Sequence, residues 1–196
     1  CLRMLRETLF DGAALAWNTS DVPTGKGGCA CNPARDTLAA LDLGFTKRAE
    51  IIWEKGMSYL PLPWNTRRPT VPNSTHESIL VFFNGERKAR EAEGNLDTSA
   101  LEWNRESVWR MGTAKAAQTN HKAAFPLELA IRCITLFSFP DDIVYEPFSG
   151  SGTTLIACEN LGRKCRAVEI SPAYVAVALQ RWADHTQRTP VLLESA

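Results

Sequence analysis

The residues best suited to chemistry lie between positions 146 and 170. The segment Glu146-Pro-Phe-Ser-Gly-Ser-Gly-Thr-Thr154 follows a short apolar run and precedes a segment with helical periodicity. A glycine-rich turn between a strand and a helix lets backbone N–H groups approach a ligand closely at the carboxyl edge of a sheet. Glu169 follows about twenty residues later, where an acidic side chain in a doubly wound fold accepts hydrogen bonds from ribose hydroxyls. The pattern indicates a cofactor that contains adenosine.

Residues that are missing from the turn narrow the choice of cofactor. A dinucleotide fingerprint has a third glycine or alanine where this sequence has Leu155, which disfavours NAD. A phosphate-binding P-loop has a lysine at the end of the turn, and Gly152-Thr153-Thr154 contains none, which disfavours ATP. A nicotinamide-dependent oxidoreductase and a glycine-rich turn without function stay open as alternatives, although the position of Glu169 favours a functional site.

The elements around the turn predict the fold. Periodicity and turn residues in the second half predict a helix over about 126–137, a strand over 143–146, a helix over 153–161 that ends at Gly162, a strand over 165–170, and a last helix with Ser171 as N-cap and Pro172 at its first position. The first half predicts a helix over 2–9, a strand over 13–17, a helix over 35–44, and strands over 50–54 and 78–83 that could be neighbours. We expect an α/β, doubly wound, mostly parallel sheet that could be incomplete at its N-terminus, with the cofactor on the loops after Glu146 and Glu169.

Composition sets the class of protein. The 196 residues carry 22 basic and 22 acidic side chains, so the net charge is 22 − 22 = 0, which neither indicates nor excludes DNA as a partner. Apolar runs fall short of the roughly 20 residues that a membrane span needs, and we expect no membrane association. The six cysteines have neither metal-ligand spacing nor secreted-domain regularity, so we expect no metal and a cytoplasmic location. The length predicts one domain over residues 1–196.

The turn segment resembles a known motif. Residues 146–154 resemble the Asp-Pro-Phe-x-Gly-Ser-Gly-Thr-Thr motif of the N6-adenine/N4-cytosine DNA methyltransferases, in the permuted order that places this motif near the C-terminus. His121-Lys-Ala-Ala-Phe-Pro-Leu-Glu-Leu129 is similar to the family segment that helps enclose the methionine part of the cofactor. Segments at 44–55, 76–82 and 108–111 are similar to successive family elements, so the resemblance covers nearly the whole chain. Glu146 replaces the family's aspartate and lengthens the reach of the carboxylate by one methylene group.

The resemblance implies a site-specific DNA methyltransferase, of the kind found in restriction-modification systems, with S-adenosylmethionine as cofactor and double-stranded DNA as partner. Methyl transfer would go to the exocyclic amine of adenine (N6) or cytosine (N4). The residues predicted to bind the cofactor are His121, Phe125, Pro126, Glu146, Pro147, Phe148, Ser149, Gly150, Ser151, Gly152, Thr153, Thr154, Glu169 and Ile170. Residues 119–185 would form the cofactor-binding βαβ region, and residues 18–115 would include target-recognition loops. Within those loops Trp64, Arg67 and Arg68 are candidates for DNA contact, and a solvated loop is an equal alternative.

One family feature is missing from the sequence. The catalytic tetrapeptide, Asp/Asn/Ser-Pro-Pro followed by an aromatic residue, does not occur, and the nearest strings are Asn32-Pro33-Ala34 and Pro63-Trp64-Asn65. We therefore predict no catalytic residues, and an upstream segment or another chain would have to supply the tetrapeptide. The alternative is a truncated or degenerate module that binds cofactor or DNA without turnover.

Overall fold

The structure, a computed structural model, describes residues 1–22, 30–56, 74–86, 103, 106–113 and 125–193. The chain divides into two compact units: unit 1 comprises Cys1–Glu93 and Thr98–Gly112, and unit 2 comprises Gly94–Asp97 and Thr113–Ala196. The sequence predicts one domain over residues 1–196, and this stays a prediction, since a division into compact units does not test it.

Unit 1 contains a mixed sheet. Its elements are α1 (Leu2–Thr8), β1 (Ala14–Thr19), α2 (Asn32–Asp42), β2 (Phe45–Glu54), β3 (His76–Asn84) and β4 (Val108–Arg110). The strand order is β1-β3-β2-β4. Strand β3 is antiparallel to both β1 and β2, whereas β4 is parallel to β2. The two strands that the sequence placed as possible neighbours, β2 and β3, therefore do pair.

Strand β3 is the centre of the unit 1 core. Its residues from Ser78 to Asn84 are all buried, as expected for a continuous apolar run in a strand with a neighbour on each side. Asn84 at its end is 2% exposed. The Asn84 Nδ2 donates to the carbonyl oxygens of Leu9 at 2.6 Å and Phe10 at 3.3 Å. This amide therefore satisfies carbonyl groups at the C-terminal end of α1, which the helix itself leaves without partners.

Unit 2 is built around a βαβ motif. Its elements are α3 (Leu127–Phe137), β5 (Ile143–Glu146), α4 (Thr153–Leu161), β6 (Lys164–Ala167) and α5 (Pro172–Thr186). Strands β5 and β6 are parallel, with Ile143 opposite Lys164 and Glu146 opposite Ala167. The predicted bounds of β5 and α4 and the predicted start of α5 are confirmed. The prediction that β6 reaches residue 170 was wrong, because the chain leaves the ladder after Ala167.

Helices α3 and α4 form a small apolar core with the sheet of unit 2. Ala130 and Ile134 of α3 pack with Ala157 and Cys158 of α4, and Val144 of β5 packs against this cluster. Helix α4 is buried along most of its length, which fixes the position of its N-terminus at the end of β5. Among the described residues, no helix is long and apolar enough to cross a membrane.

Candidate functional site

The turn between β5 and α4 is shaped by two glycines. Gly150 has a φ of 52° and Gly152 a φ of 80°, a region of backbone conformation that disfavours residues with a side chain. Gly152 is the N-cap of α4, and its N–H donates to the carbonyl of Ser149 at 2.9 Å. The Ser149 N–H donates to the carbonyl of Val168 at 3.0 Å, which joins the turn to the chain just after β6.

Glu146 braces the turn from the end of β5. Its Oε1 accepts a hydrogen bond from the Phe148 N–H at 2.9 Å, and its Oε2 accepts one from the Thr154 hydroxyl at 2.9 Å. One carboxylate thus connects the end of the strand, the turn and the first turn of the helix. In the described residues this is a structural role, and the prediction that Glu146 binds the cofactor stays a prediction.

Glu169 reaches the turn from the end of the β6 segment. Its Oε2 accepts from the Gly150 N–H at 2.8 Å, and its Oε1 accepts from the Ser171 N–H at 2.9 Å. The sequence spacing placed this carboxylate beside the glycine-rich turn, and the structure brings the two together. A carboxylate oxygen has more than one lone pair and can accept more than one hydrogen bond.

The remaining predicted residues differ in their exposure. Ser151, Thr153 and Thr154 are buried at 4%, 6% and 8% exposure, so their side chains belong to the support of the turn. In contrast, Phe148 is 63% exposed and Ile170 is 97% exposed. Two large apolar side chains therefore lie at the solvent surface close in sequence to the Glu146 and Glu169 carboxylates.

The predicted residues upstream of α3 are only partly described. Pro126 is the N-cap of α3, and Phe125 packs against the core cluster formed by α3 and α4. His121 lies outside the described residues, as do the three candidates for DNA contact, Trp64, Arg67 and Arg68.

Two residues of α5 that contact the turn were not predicted. An added Cβ at Gly152 would lie 2.8 Å from the Ala178 Cβ and 3.2 Å from the Ala178 Cα. The Arg181 guanidinium donates through Nη1 to the carbonyl oxygen of Ser151 and, at 3.0 Å, to the Ser151 hydroxyl. The sequence signal for these contacts was weak, since it consists of a small residue followed three positions later by an arginine on a helix.

Burial affects ionisable groups near the turn. Desolvation lowers the pKa of Arg181, and a hydrogen bond with Cys165 together with burial raises the pKa of Cys158.

Within the described ranges, no cluster of three or more His, Cys, Asp or Glu side chains could hold a metal ion. The chemical features at the turn are the Glu146 and Glu169 carboxylates and the exposed apolar side chains of Phe148 and Ile170.

Comparison with known proteins decides the family. A family model described as DNA methylase, for the N6 and N4 enzymes, matches residues 1–180. The chain belongs to the N6/N4 DNA methylase family. This membership argues against the nicotinamide-dependent oxidoreductase hypothesis.

Curated relatives of this methylase chain carry the description of type II methyltransferases. M.XycI of Xanthomonas campestris pv. cyanopsidis is 33% identical over 152 residues, covering 76% of this chain and 48% of the relative. M.Cfr9I of Citrobacter freundii is 31% identical over 153 residues, again covering 76% of this chain and 48% of the relative. The chain thus spans about half the length of the curated relatives it matches.

Solved structures agree with this assignment. A putative DNA modification methylase of Thermus thermophilus, in complex with S-adenosyl-L-methionine, is 27% identical with a TM-score of 0.76, and the match covers 94% of this chain and 74% of that one. The PvuII cytosine-N4-specific DNA methyltransferase is 20% identical with a TM-score of 0.79, over 94% of this chain and 68% of that one, and is similar in fold. These likenesses confirm the predicted α/β methyltransferase-like fold, with the mixed strand pairing of unit 1 described above.

Proposed function

We propose that this chain is the cofactor-binding and target-recognition part of a DNA methyltransferase that uses S-adenosylmethionine. The observation that carries the proposal is the bond from the Gly150 N–H to Glu169 Oε2 at 2.8 Å. It brings together the two features from which the cofactor was predicted, the glycine-rich turn and the acidic residue after the next strand. Family membership over residues 1–180 and a relative solved with this cofactor support the proposal.

The residues at the turn fit the chemistry of S-adenosylmethionine. An adenine ring is flat and apolar on its faces, and the exposed Phe148 and Ile170 side chains offer apolar surface for it. Glu169 stands where an acidic side chain of a doubly wound fold accepts hydrogen bonds from ribose hydroxyls. In the described part of the chain, no atom outside the neighbouring residues lies within 4 Å of the Cβ position of Gly150, which leaves room for a ligand to approach the backbone.

The proposed reaction needs a cofactor site, which this chain provides, and a tetrapeptide that binds the target amine, which its sequence does not contain. S-adenosylmethionine, when bound, would supply its sulfonium methyl group to the exocyclic amine of adenine or cytosine; S-adenosylhomocysteine would leave, and the amine would lose a proton. The turn, Glu146 and Glu169 hold and orient the cofactor. In the family the tetrapeptide binds the amine and its aromatic residue stacks on the flipped base. Since the tetrapeptide is absent from the 196 residues, we propose that it comes from a segment or chain outside this sequence.

Double-stranded DNA is the proposed macromolecular partner. Trp64, Arg67 and Arg68 stay the candidates for its contact, because an aromatic residue beside two arginines can stack on a base and bind phosphate. A bacterial DNA substrate would place the activity in the cytoplasm.

Calorimetric titration with S-adenosylmethionine tests the site. The chain is expected to bind the cofactor, and Gly152→Asp and Glu169→Ala are each expected to abolish measurable binding. Glu128→Ala is the matched control, because this exposed glutamate lies on α3 and pairs with Arg132. Binding by all three variants, or no binding by the folded parent chain, would contradict the proposal.

A second candidate function is a binding module without turnover, favoured by the absence of the tetrapeptide. An assay that follows a labelled methyl group from S-adenosylmethionine to duplex DNA distinguishes the two candidate functions. Turnover by this chain alone would exclude the module. Turnover that requires a chain bearing the tetrapeptide would support the divided methyltransferase.

A further inference from the structure

One face of α5 contacts the glycine-rich turn at two adjacent points. Ala178 and Arg181 are three residues apart, so their side chains lie on the same side of the helix. Ala178 is 7% exposed and leaves room beneath Gly152 for a hydrogen but not for a methyl group. Arg181 donates through Nη1 to both oxygens of Ser151. The turn is therefore held from α5 as well as by its two glutamates.

The bond from Arg181 to the Ser151 carbonyl controls a peptide group at a flexible position. Ser151 lies between Gly150 and Gly152, and glycine restricts the backbone less than any other residue. The peptide group between Ser151 and Gly152 is planar, so a fixed Ser151 oxygen also fixes the direction of the Gly152 N–H. That N–H closes the turn by donating to Ser149 at 2.9 Å.

The same arginine satisfies a buried side chain. Ser151 is 4% exposed, and loss of the guanidinium would remove a donor from both its hydroxyl and its carbonyl oxygen. A buried acceptor without a partner is costly, so the turn would rearrange to find another donor. Within the described ranges, no carboxylate lies within 4.0 Å of the Arg181 guanidinium, so its polar contacts are with Ser151.

We infer that Arg181 is a positioning residue of the proposed cofactor site, which acts through Ser151 to hold the turn in its binding shape. This inference rests on the proposed function. It assigns to α5 a part in cofactor affinity, beyond its packing on α4.

The test compares Arg181→Met with Arg188→Met in the full 196-residue chain. Arg188 pairs with the Glu159 carboxylate of α4 and lies 4.9 Å from the centre of the Trp182 ring, so it joins α5 to α4 away from the turn. Two quantities are measured: the Kd for S-adenosylmethionine, and the rate of hydrogen exchange at the Gly152 amide.

Arg181→Met removes both hydrogen bonds to Ser151 and is expected to raise the Kd roughly tenfold and to speed exchange at Gly152. Arg181→Lys, with one charged group in place of the fork, is expected to give an intermediate Kd. Arg188→Met is expected to leave both quantities at the parent value. A purely structural role of Arg181 would lower the Tm and leave the Kd of the folded fraction unchanged.

Each outcome decides the inference. Parent-like affinity of the Arg181→Met chain, or parent-like exchange at Gly152, overturns it. If the parent chain does not bind the cofactor, the proposed function fails, and the exchange rates still decide whether Arg181 holds the turn. If Arg181→Met does not fold, Arg181→Lys and Ser151→Ala replace it, and parent-like affinity in both overturns the inference.

Discussion

Replacement of Gly152 by alanine is expected to destabilise the protein more than the same change at Gly150. Both glycines have positive φ, 80° and 52°, so both alanines meet backbone strain. At Gly150 no described atom outside the neighbouring residues lies within 4 Å of the new methyl group. At Gly152 the methyl group would lie 2.8 Å from the Ala178 Cβ and 3.2 Å from its Cα, and neither atom can rotate away.

The magnitude follows from three contributions. A side chain in the left-handed region costs roughly 1–2 kcal/mol. Overpacking of a buried contact by one methyl group costs about 1–3 kcal/mol. Reduced entropy of the unfolded chain returns about 0.4–1 kcal/mol for glycine to alanine. The expected loss is therefore about 2–4 kcal/mol for Gly152→Ala and about 1 kcal/mol for Gly150→Ala, against a typical total of roughly 5–15 kcal/mol.

Urea unfolding, followed by circular dichroism, measures the free energy of unfolding of both variants. The double variant Gly152→Ala with Ala178→Gly removes the methyl group that the new one would touch. We expect a favourable coupling energy of about 1–3 kcal/mol between the two positions. Equal losses for Gly152→Ala and Gly150→Ala, or a coupling energy of zero, would refute the role given to the contact with α5.

Three further predictions concern other parts of the chain. Asn84→Ala should lower the free energy of unfolding by about 1–3 kcal/mol, because the carbonyl groups at the end of α1 lose the donor that the buried Asn84 side chain provides. The hydrogen bond from Lys47 lowers the pKa of Glu50, so the charged carboxylate stabilises the fold above the ordinary glutamate pKa of 4.5, and this contribution is lost as the pH falls below that value. Glu50→Gln should therefore lose less stability than the parent on acidification, by a difference of less than about 1 kcal/mol. Iodoacetamide at pH 8 should modify the exposed Cys1 before Cys158, whose pKa is raised by its hydrogen bond to a neighbouring thiol and by burial.

Each of these three has a control. Asn18→Ala removes an amide on an exposed contact and should change stability little. Lys47→Gln removes the donor to Glu50 and should weaken the same acid dependence, so a Lys47→Gln curve equal to that of the parent would argue against the contact. Urea should make Cys158 reactive, and equally fast modification of Cys158 in the folded chain would contradict its burial. Urea denaturation curves, their pH dependence and peptide mass spectrometry provide the measurements.

The βαβ part of the fold was predictable because its local signals agree. An apolar run marks β5, glycines mark the turn, and Gly162 ends α4 with a positive φ of 66°. Each of these residues favours the conformation that it adopts, independently of distant contacts. The observed bounds of β5 and α4 consequently match the predicted ones.

The first half of β2 was missed because its sequence does not resemble a strand. The sequence predicted only residues 50–54, whereas the strand begins at Phe45. Residues 46–48 are polar, and a break in register between Lys47 and Ala49 disturbs the alternation of buried and exposed side chains. Pairing with β3 holds this stretch in the sheet, and single-sequence periodicity does not reveal such pairing.

The candidate site also combines a feature that local sequence predicts with a contact between distant residues that it does not predict. Glu169 was predictable because its distance from the turn reflects the length of a βαβ unit. The contact between Ser151 and Arg181 spans 30 residues and depends on how α5 docks, which no local pattern specifies. Alanine and arginine are common on helices, so their presence there carries little information.

The bracing of the turn also determines when its conformational entropy is lost. Glu146 binds Phe148 and Thr154, and Glu169 binds Gly150 and Ser171, so the groups that shape the turn all belong to the chain itself. The backbone of the turn therefore loses its conformational entropy during folding. Binding of a ligand at the turn then does not include the free-energy cost of ordering this segment. Affinity at such a preformed turn comes mainly from the ligand's direct contacts, and association should proceed without a slow rearrangement of this segment.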